Sequence, residues 1–189
     1  MNWKKQHIVL GSKSPRRKQL FEQAGFDFEV KTKETNEVLN PLETVEQNTM
    51  RLAKEKAIAL GLRELVVCGD TLVSLDDNQV LGKPRDKQQA IEMLKSISGR
   101  SHYVTTGVCI SKNLEYYCFY EQTKVFIKPV SDELLQYYID EYKVLDKAGS
   151  YGVQDWFGLT QVEKIEGCFY NVMGFPMPRF FEELNKIIS

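Results

Sequence analysis

The chain has 189 residues, of which 42 % are hydrophobic and 27 % charged, with a formal net charge of -1. That balance excludes a disordered chain, a collagen-like fibre and a coiled-coil rod. The length suits a single domain over 1–189, or one core split into two lobes, with roughly 70 % of the extended chain's surface buried on folding. Without a basic excess the chain lacks the footprint of a dedicated duplex-DNA binder, whose affinity comes from neutralising phosphates. No apolar run is long enough to span a bilayer. The basic N-terminal stretch has too short an apolar segment for a signal peptide. The expected compartment is therefore the cytoplasm, with no nucleic-acid or membrane partner.

His7–Leu10 is a short apolar run ending in Gly11, a strand running into a loop. Pro15 sits where a helix would start. Leu20, Phe21 and Ala24 share its inner face, and Gly25 stops it. Residues 26–30 alternate Phe, Asp, Phe, Glu, Val, the period of a half-buried strand. Residues 32–40 are polar and read as a loop. A helix is expected over residues 42–60, with Gly61 as its stop and an inward stripe of Val45, Thr49, Leu52, Lys56 and Leu60. Lys56 thus lies on or beside the buried face. Either its stem snorkels to a solvated head or it points into a polar cleft.

Residues 65–68 form an apolar strand that ends in Gly69-Asp70-Thr71, and residues 72–75 continue extended to a turn at Asp76-Asp77-Asn78. Val80-Leu81 leads into Gly82-Lys83-Pro84. Asp86 is an N-cap with Gln89 completing a capping box. Ala90, Ile91, Leu94 and Ile97 form the inner face of that helix, and Gly99 ends it. Residues 103–110 and 116–130 read as two long strands around a turn at Lys112-Asn113. Ser131 caps a helix with Leu134, Leu135, Tyr138 and Ile139 inward. Residues 146–154 are a polar loop and residues 159–165 are strand-like. Pro176 opens a last helix carrying Phe180, Phe181, Leu184 and Ile187. Interleaved strands and helices, with a pair of long consecutive strands, give an α/β fold with a mixed sheet.

Cys68, Cys109, Cys118 and Cys168 are scattered, with no C-x-x-C pair. Cys68 and Cys109 read as small apolar strand residues. A zinc site would need clustered ligands, to which only His7 and His102 could add imidazoles, and both read as ordinary strand residues rather than ligands. Tyr116, Tyr117 and Tyr120 fit either a homodimer contact or a strand face, and the strand face is the simpler account.

Four features point to chemistry. In Ser12-Lys13-Ser14-Pro15-Arg16-Arg17-Lys18, cations crowd the first turn of a helix, where each costs about 0.3–1 kcal/mol against the macrodipole. An anion bound there removes the conflict, with N–H groups, hydroxyls and guanidinium forks converging on one phosphate. The alternatives are a solvated basic turn, a kinase target or a nucleic-acid contact. Asp70 follows a buried strand, where ligand sites of α/β sheets gather. It is placed to hold a hard cation or polarise a water, or it is a turn aspartate satisfied by local N–H groups. Lys83, held between Gly82 and Pro84, offers a point charge to phosphate oxygens, or is an exposed turn. Glu34 and Glu37 either join Asp70 around a metal or lie in a solvated loop. Cations and carboxylates near strand ends are what a metal-triphosphate site needs. These features alone leave a kinase, a pyrophosphatase and a nucleotide-binding regulator open.

The motifs taken together are more specific. Ser12 to Arg17 resembles the S-x-S-P-R-R opening of the Maf family, nucleoside triphosphate pyrophosphatases also named for septum formation. Arg51-Leu52-Ala53 with Lys56-Ala57 is similar to the family's R-L-A-x-x-K-A helix. Gly69-Asp70-Thr71 is similar to its G-A-D-T, Leu81-Gly82-Lys83-Pro84 to L-G-K-P, Ser98-Gly99-Arg100 to S-G-R and Thr106-Gly107-Val108 to T-G-V. Asp146-Lys147-Ala148-Gly149, with Tyr151 and Gln154, is similar to D-K-A-G followed by Y-x-x-Q. Tyr170-Asn171-Val172, Gly174 and Pro176 resemble the closing Y-N-V-x-G-x-P. The likeness covers nearly the whole chain.

The resemblance implies an elongated mixed β-sheet flanked by helices, in two lobes with an active-site cleft. It implies hydrolysis of a nucleoside triphosphate to the monophosphate and pyrophosphate, with Mg²⁺ or Mn²⁺. By the same resemblance Asp70 is the proton acceptor and a metal-linked carboxylate, and Glu37 assists the metal. Ser12, Arg16, Arg17, Lys56 and Lys83 are the phosphate-binding set, Lys83 also counting among the catalytic residues. Thr71 and Gln154, with an arginine of the opening motif, resemble the branch acting on dTTP, UTP and modified pyrimidine nucleotides. The alternatives are a purine or 7-methyl-GTP substrate, or a nucleotide-binding regulator of cell division. Glu34 stands where the family has its first acidic-loop Asp, Gly69 directly precedes Asp70, and Asp155 stands where a glycine often follows Gln154. Arg100, Asp146 and Lys147 are assigned supporting roles.

Overall fold

The computed structural model describes residues 1–75 and 79–189; the turn expected at Asp76-Asp77-Asn78 lies outside the described residues. The strands are β1 (His7–Leu10), β2 (Asp27–Val30), β3 (Leu65–Ser74), β4 (Val80–Leu81), β5 (Ser101–Lys112), β6 (Glu115–Ile127) and β7 (Val162–Glu166). The helices are α1 (Pro15–Gln23), α2 (Val45–Leu60), α3 (Lys87–Ile97), α4 (Asp132–Glu141), α5 (Trp156–Gln161), α6 (Phe169–Val172) and α7 (Met177–Ile188). The strands form one mixed sheet in the order β2-β1-β3-β5-β6-β7, with β4 paired to β3. β1 runs parallel to β2 and β3, whereas β3–β4 and β6–β7 are antiparallel. The mixed α/β architecture is the expected one.

Local chemistry sets most element ends. Ser14, Thr44, Asp86, Asp155 and Ser131 each accept a backbone N–H at a helix N-terminus, satisfying donors the helix leaves open. At α2 the box is reciprocal: Thr44 Oγ1 accepts from Gln47 N–H, and Gln47 Oε1 accepts from Thr44 N–H. The box expected at Asp86 is only half formed. Asp86 Oδ1 accepts from Gln89 N–H, but Gln89 Oε1 turns to Arg85 N–H.

Several expectations are corrected. The strand expected over residues 65–68 runs on to Ser74, so Asp70 and Thr71 lie within β3 rather than beyond it. Residues 159–161 belong to α5, and the strand starts only at Val162. The residues at positive φ in the β5–β6 turn are Asn113 and Leu114, one position later than expected. Ala24, Leu134 and Phe181, expected inward, are exposed.

The chain separates into two compact units. The first comprises Met1–Thr71, Thr106–Glu121 and Gly174–Ser189. An aromatic core knits α1 to α7, with the Phe21 ring 5.3 Å from those of Phe26, Phe175 and Phe180. A second cluster packs α2 onto the sheet through Ala53, Ala57, Val66, Cys68 and Cys109, and Tyr116 leans on it. That contact accounts for Tyr116 as part of a strand face. The second unit comprises Leu72–Thr105 and Gln122–Met173. Its core stacks Tyr138 on Tyr142 and Trp156. Among the described residues no helix is long and apolar enough to cross a membrane.

The α2 packing explains one glycine of the T-G-V motif. A Cβ at Gly107 would lie 2.2 Å from the Thr49 carbonyl carbon of α2, and backbone cannot yield there. Gly107→Ala is expected to destabilise the protein by about 1–3 kcal/mol or more, read as a lower urea midpoint. Gly82→Ala, where a Cβ meets nothing within 4 Å, is expected to leave that midpoint unchanged.

Candidate active site

β3 brings Asp70 out of the buried core of the first unit, and its carboxylate stays buried. A buried carboxylate needs a partner. Lys56 of α2 supplies it, with Nζ donating to Asp70 Oδ1 at 2.6 Å. The same ammonium lies 3.0 Å from Oε1 of Glu37. The helical stripe that turned Lys56 inward thus leads its head into a polar cluster, and the snorkelling alternative is set aside. The two carboxylates and the lysine come from three segments far apart in sequence.

Glu37 is itself exposed, on a segment without regular structure. That segment is anchored by Arg51, whose Nη2 donates to the Val38 carbonyl at 3.0 Å while Nε and Nη1 bind Glu43 and Glu55. Asn48 completes the anchor. Its Nδ2 donates to the Asn40, Glu43 and Thr44 carbonyls, and its Oδ1 accepts from Asn40 N–H. Sequence reasoning passed over Asn48, whose only signal is a polar side chain on the buried side of α2.

A second constellation forms around Arg17. Its buried guanidinium donates from Nε to Gly174 O (2.9 Å), from Nη1 to Gly69 O (2.6 Å) and Ser12 Oγ (3.2 Å), and from Nη2 to Thr71 Oγ1 (2.9 Å). Among the described residues, four of its five N–H groups are engaged by protein oxygens, leaving one on Nη2. Burial pushes its pKa below the ordinary arginine value, and the nearby charge of Asp70 opposes that shift. Thr71 Oγ1 also lies 2.9 Å from Thr106 Oγ1 and 3.3 Å from the Gly174 carbonyl. Ser12 is buried and accepts from Ser14 N–H. Arg16 is half-buried beside it in the first turn of α1. The first-turn cation that looked electrostatically misplaced is therefore solvated by carbonyl and hydroxyl oxygens of its own protein. Thr106 and the Gly174 carbonyl belong to this site, although only their membership of short motifs had marked them.

Ser12, Arg16, Arg17, Glu37, Lys56, Asp70 and Thr71 all fall in the first unit; Lys83 and Gln154 belong to the second. Lys83 is exposed between β4 and α3, and its loop is tied down by Gly149 N–H donating to the Gly82 carbonyl at 3.1 Å. Gln154 is half-buried just before α5, and its Oε1 is buried with no hydrogen-bond partner among the described residues. Asp155 is half-buried. It caps α5 through Phe157 N–H and accepts from the Tyr138 hydroxyl at 2.8 Å. Burial raises its pKa, with Tyr138 and Lys147 acting the other way. Lys147 is buried between the Lys143 carbonyl and Asp146, the supporting role expected for Asp146 and Lys147. Arg100 and Glu34 are exposed.

Asp70 and Glu37 converge on a single cationic group, and both offer hard oxygen donors. That donor set suits Mg²⁺ or Mn²⁺ bound through one or two carboxylates, with substrate oxygens and water completing the shell. Among the described residues no group of three His, Cys, Asp or Glu side chains is arranged to hold a metal.

The family model described as Maf-like protein matches residues 7–187. The chain belongs to the Maf family. Among similar Maf proteins, the dTTP/UTP pyrophosphatase of Flavobacterium johnsoniae is 41 % identical over 189 residues, covering 98 % of this chain and 97 % of that one. The dTTP/UTP pyrophosphatase of Bacteroides fragilis is 42 % identical over 185 residues, 95 % of each chain. That of Bacteroides thetaiotaomicron is 40 % identical over 191 residues, 98 % of each. Among solved structures, the Staphylococcus aureus Ham1 protein is 16 % identical with a TM-score of 0.47, covering 65 % of this chain and 72 % of that one.

In this Maf protein Arg17 is the hub. Lysine cannot reproduce its planar fork, so Arg17→Lys is expected to leave the Gly69 and Gly174 carbonyls without their donor. The expected loss is on the order of 2 kcal/mol of stability, measured by urea denaturation.

Proposed function

We propose that the chain is a nucleoside triphosphate pyrophosphatase acting on dTTP and UTP, and on modified pyrimidine nucleotides. It cuts between the α and β phosphates and releases the monophosphate and pyrophosphate. The observation that carries this reading is the Lys56–Asp70–Glu37 cluster, in a chain about 40 % identical over nearly its whole length to enzymes named for that activity.

Asp70 takes the proton of the attacking water. The contact with Lys56 holds this buried carboxylate in one orientation. Lys56 offsets part of the negative charge of Asp70 and Glu37 in the resting protein. Ser12, Arg16, Lys83 and the remaining Nη2 N–H of Arg17 bind phosphate oxygens and stabilise charge on the departing pyrophosphate. Mg²⁺ or Mn²⁺ held by Asp70 and Glu37 would supply a Lewis acid for phosphate oxygens. Gln154 reads the base: its unpartnered Oε1 is an acceptor for the imide N–H of uracil or thymine, and its amide N–H groups suit the flanking carbonyls. We place the activity in the cytoplasm.

The first test is a nucleotide panel with Mg²⁺ and Mn²⁺, both products identified by chromatography. The expected result is monophosphate plus pyrophosphate from dTTP and UTP, falling ~10²-fold or more in Asp70→Asn. Diphosphate plus phosphate would overturn the cleavage site. Faster turnover of a purine or 7-methyl-GTP would overturn the substrate class. No turnover by folded protein would leave a nucleotide-binding regulator in its place. In the same panel Gln154→Leu is expected to lower kcat/KM for UTP about tenfold or more. An unchanged ratio of UTP to CTP turnover would remove Gln154 from base recognition.

A further inference from the structure

Cys68, Cys109 and Cys118 lie in the first unit, and two of them face each other across one hairpin. β5 ends at Lys112 and β6 begins at Glu115. Between them Asn113 and Leu114 both take positive φ, 54° and 67°, the two-residue turn of a type I′ hairpin. Such a turn pairs the residues on either side of it, so Lys112 faces Glu115 and Cys109 faces Cys118. The same register recurs further along, where Gln122 Nε2 donates to Thr105 Oγ1 at 3.2 Å, so no bulge intervenes. Hydrogen-bonded and non-hydrogen-bonded pairs alternate from the turn. Cys109 and Cys118 fall on a non-hydrogen-bonded pair, whose Cα atoms stand about 4.5 Å apart. That separation lies within the roughly 4.4–6.8 Å a disulfide spans.

The two side chains already touch, with a thiol–thiol hydrogen bond between them. Cys109 is buried under α2, whereas Cys118 is exposed. The β6–β7 pairing covers only Lys124 to Ile127 of β6, well beyond Cys118. The hydrogen bond from Cys109 lowers the pKa of Cys118, and the Lys54 ammonium on α2 adds to the effect. Cys109 is held protonated by that bond and by burial. One thiol is thus reachable and favours its thiolate, and the other is sheltered in contact with it.

We infer that Cys109 and Cys118 are a modification site, a thiol pair that a hydroperoxide oxidises to a reversible cross-strand disulfide. The Cys118 thiolate attacks a peroxide oxygen. The O–O bond breaks, and the displaced oxygen leaves as water or alcohol after taking a proton. Cys118 becomes a sulfenic acid. The Cys109 sulfur then attacks the Cys118 sulfur, the S–O bond breaks, and the departing hydroxide takes the Cys109 proton as water. Two electrons pass from the two thiols to the peroxide. A thiol or dithiol reductant returns both cysteines by exchange. Cys68 is not a partner. Burial pushes its thiol up to about 12, and its sulfur packs so closely on β1 that a Cβ at Gly11 would lie 2.3 Å from it.

The test uses the full chain and hydrogen peroxide. Trypsin cuts after Arg100, Lys112 and Lys124, separating Cys109 from Cys118. The expected product is a linked pair of peptides, 101–112 joined to 113–124, which dithiothreitol releases. The link is expected to persist in Cys68→Ser and to vanish in Cys118→Ser, an exposed substitution that leaves the core intact. A Cys118 carried only to sulfinic acid, a link from Cys109 to Cys68, a Cys118–Cys118 link between chains, or no oxidation of either cysteine would each overturn the proposal.

Discussion

A buried guanidinium must find acceptors for its N–H groups or unfold the region that buries it. Arg17 meets that constraint by collecting oxygens from four places in the first unit: Ser12 after β1, Gly69 and Thr71 on β3, and Gly174 before α7. Two of these are backbone carbonyls, so the interaction sets the path of the chain as well as the side chains. The β1 and β3 parts of the site follow from it. Asp70 sits between the two β3 residues that Arg17 holds, and Ser12 is held at the end of the neighbouring strand.

With β3 held on one side, α2 supplies the other half of the site. Lys56 compensates Asp70 and reaches Glu37, and Arg51 and Asn48 hold the segment that carries Glu37. This is an economical arrangement electrostatically. One ammonium holds two carboxylates close together, where they would otherwise repel.

How much of this was legible in the sequence depends on distance along the chain. His7–Leu10 and the caps at Ser14, Asp86 and Ser131 are local, and they stand where expected. The inward stripe put Lys56 beside the core because a helix has a fixed period. Gly69 misled the reading of β3. It looked like a terminator, yet the strand continues through it, and a Cβ there would sit 3.4 Å from the Arg17 guanidinium carbon and 3.5 Å from the Phe175 ring. Residues 159–161 looked like strand by composition, but the Asp155 cap starts a helix there. Arg17 read as a fork for an external anion because its acceptors lie up to 157 positions away, beyond any local pattern. The motifs named the participants, and only the fold shows which of them face one another.

The central claim of the account is that water activated at Asp70 attacks the α-phosphorus. Hydrolysis of UTP in water enriched in heavy oxygen tests it most directly, with both products examined by mass spectrometry. The account predicts one heavy oxygen in the monophosphate and none in the pyrophosphate. Label in the pyrophosphate would place the attack on the β-phosphorus and contradict it.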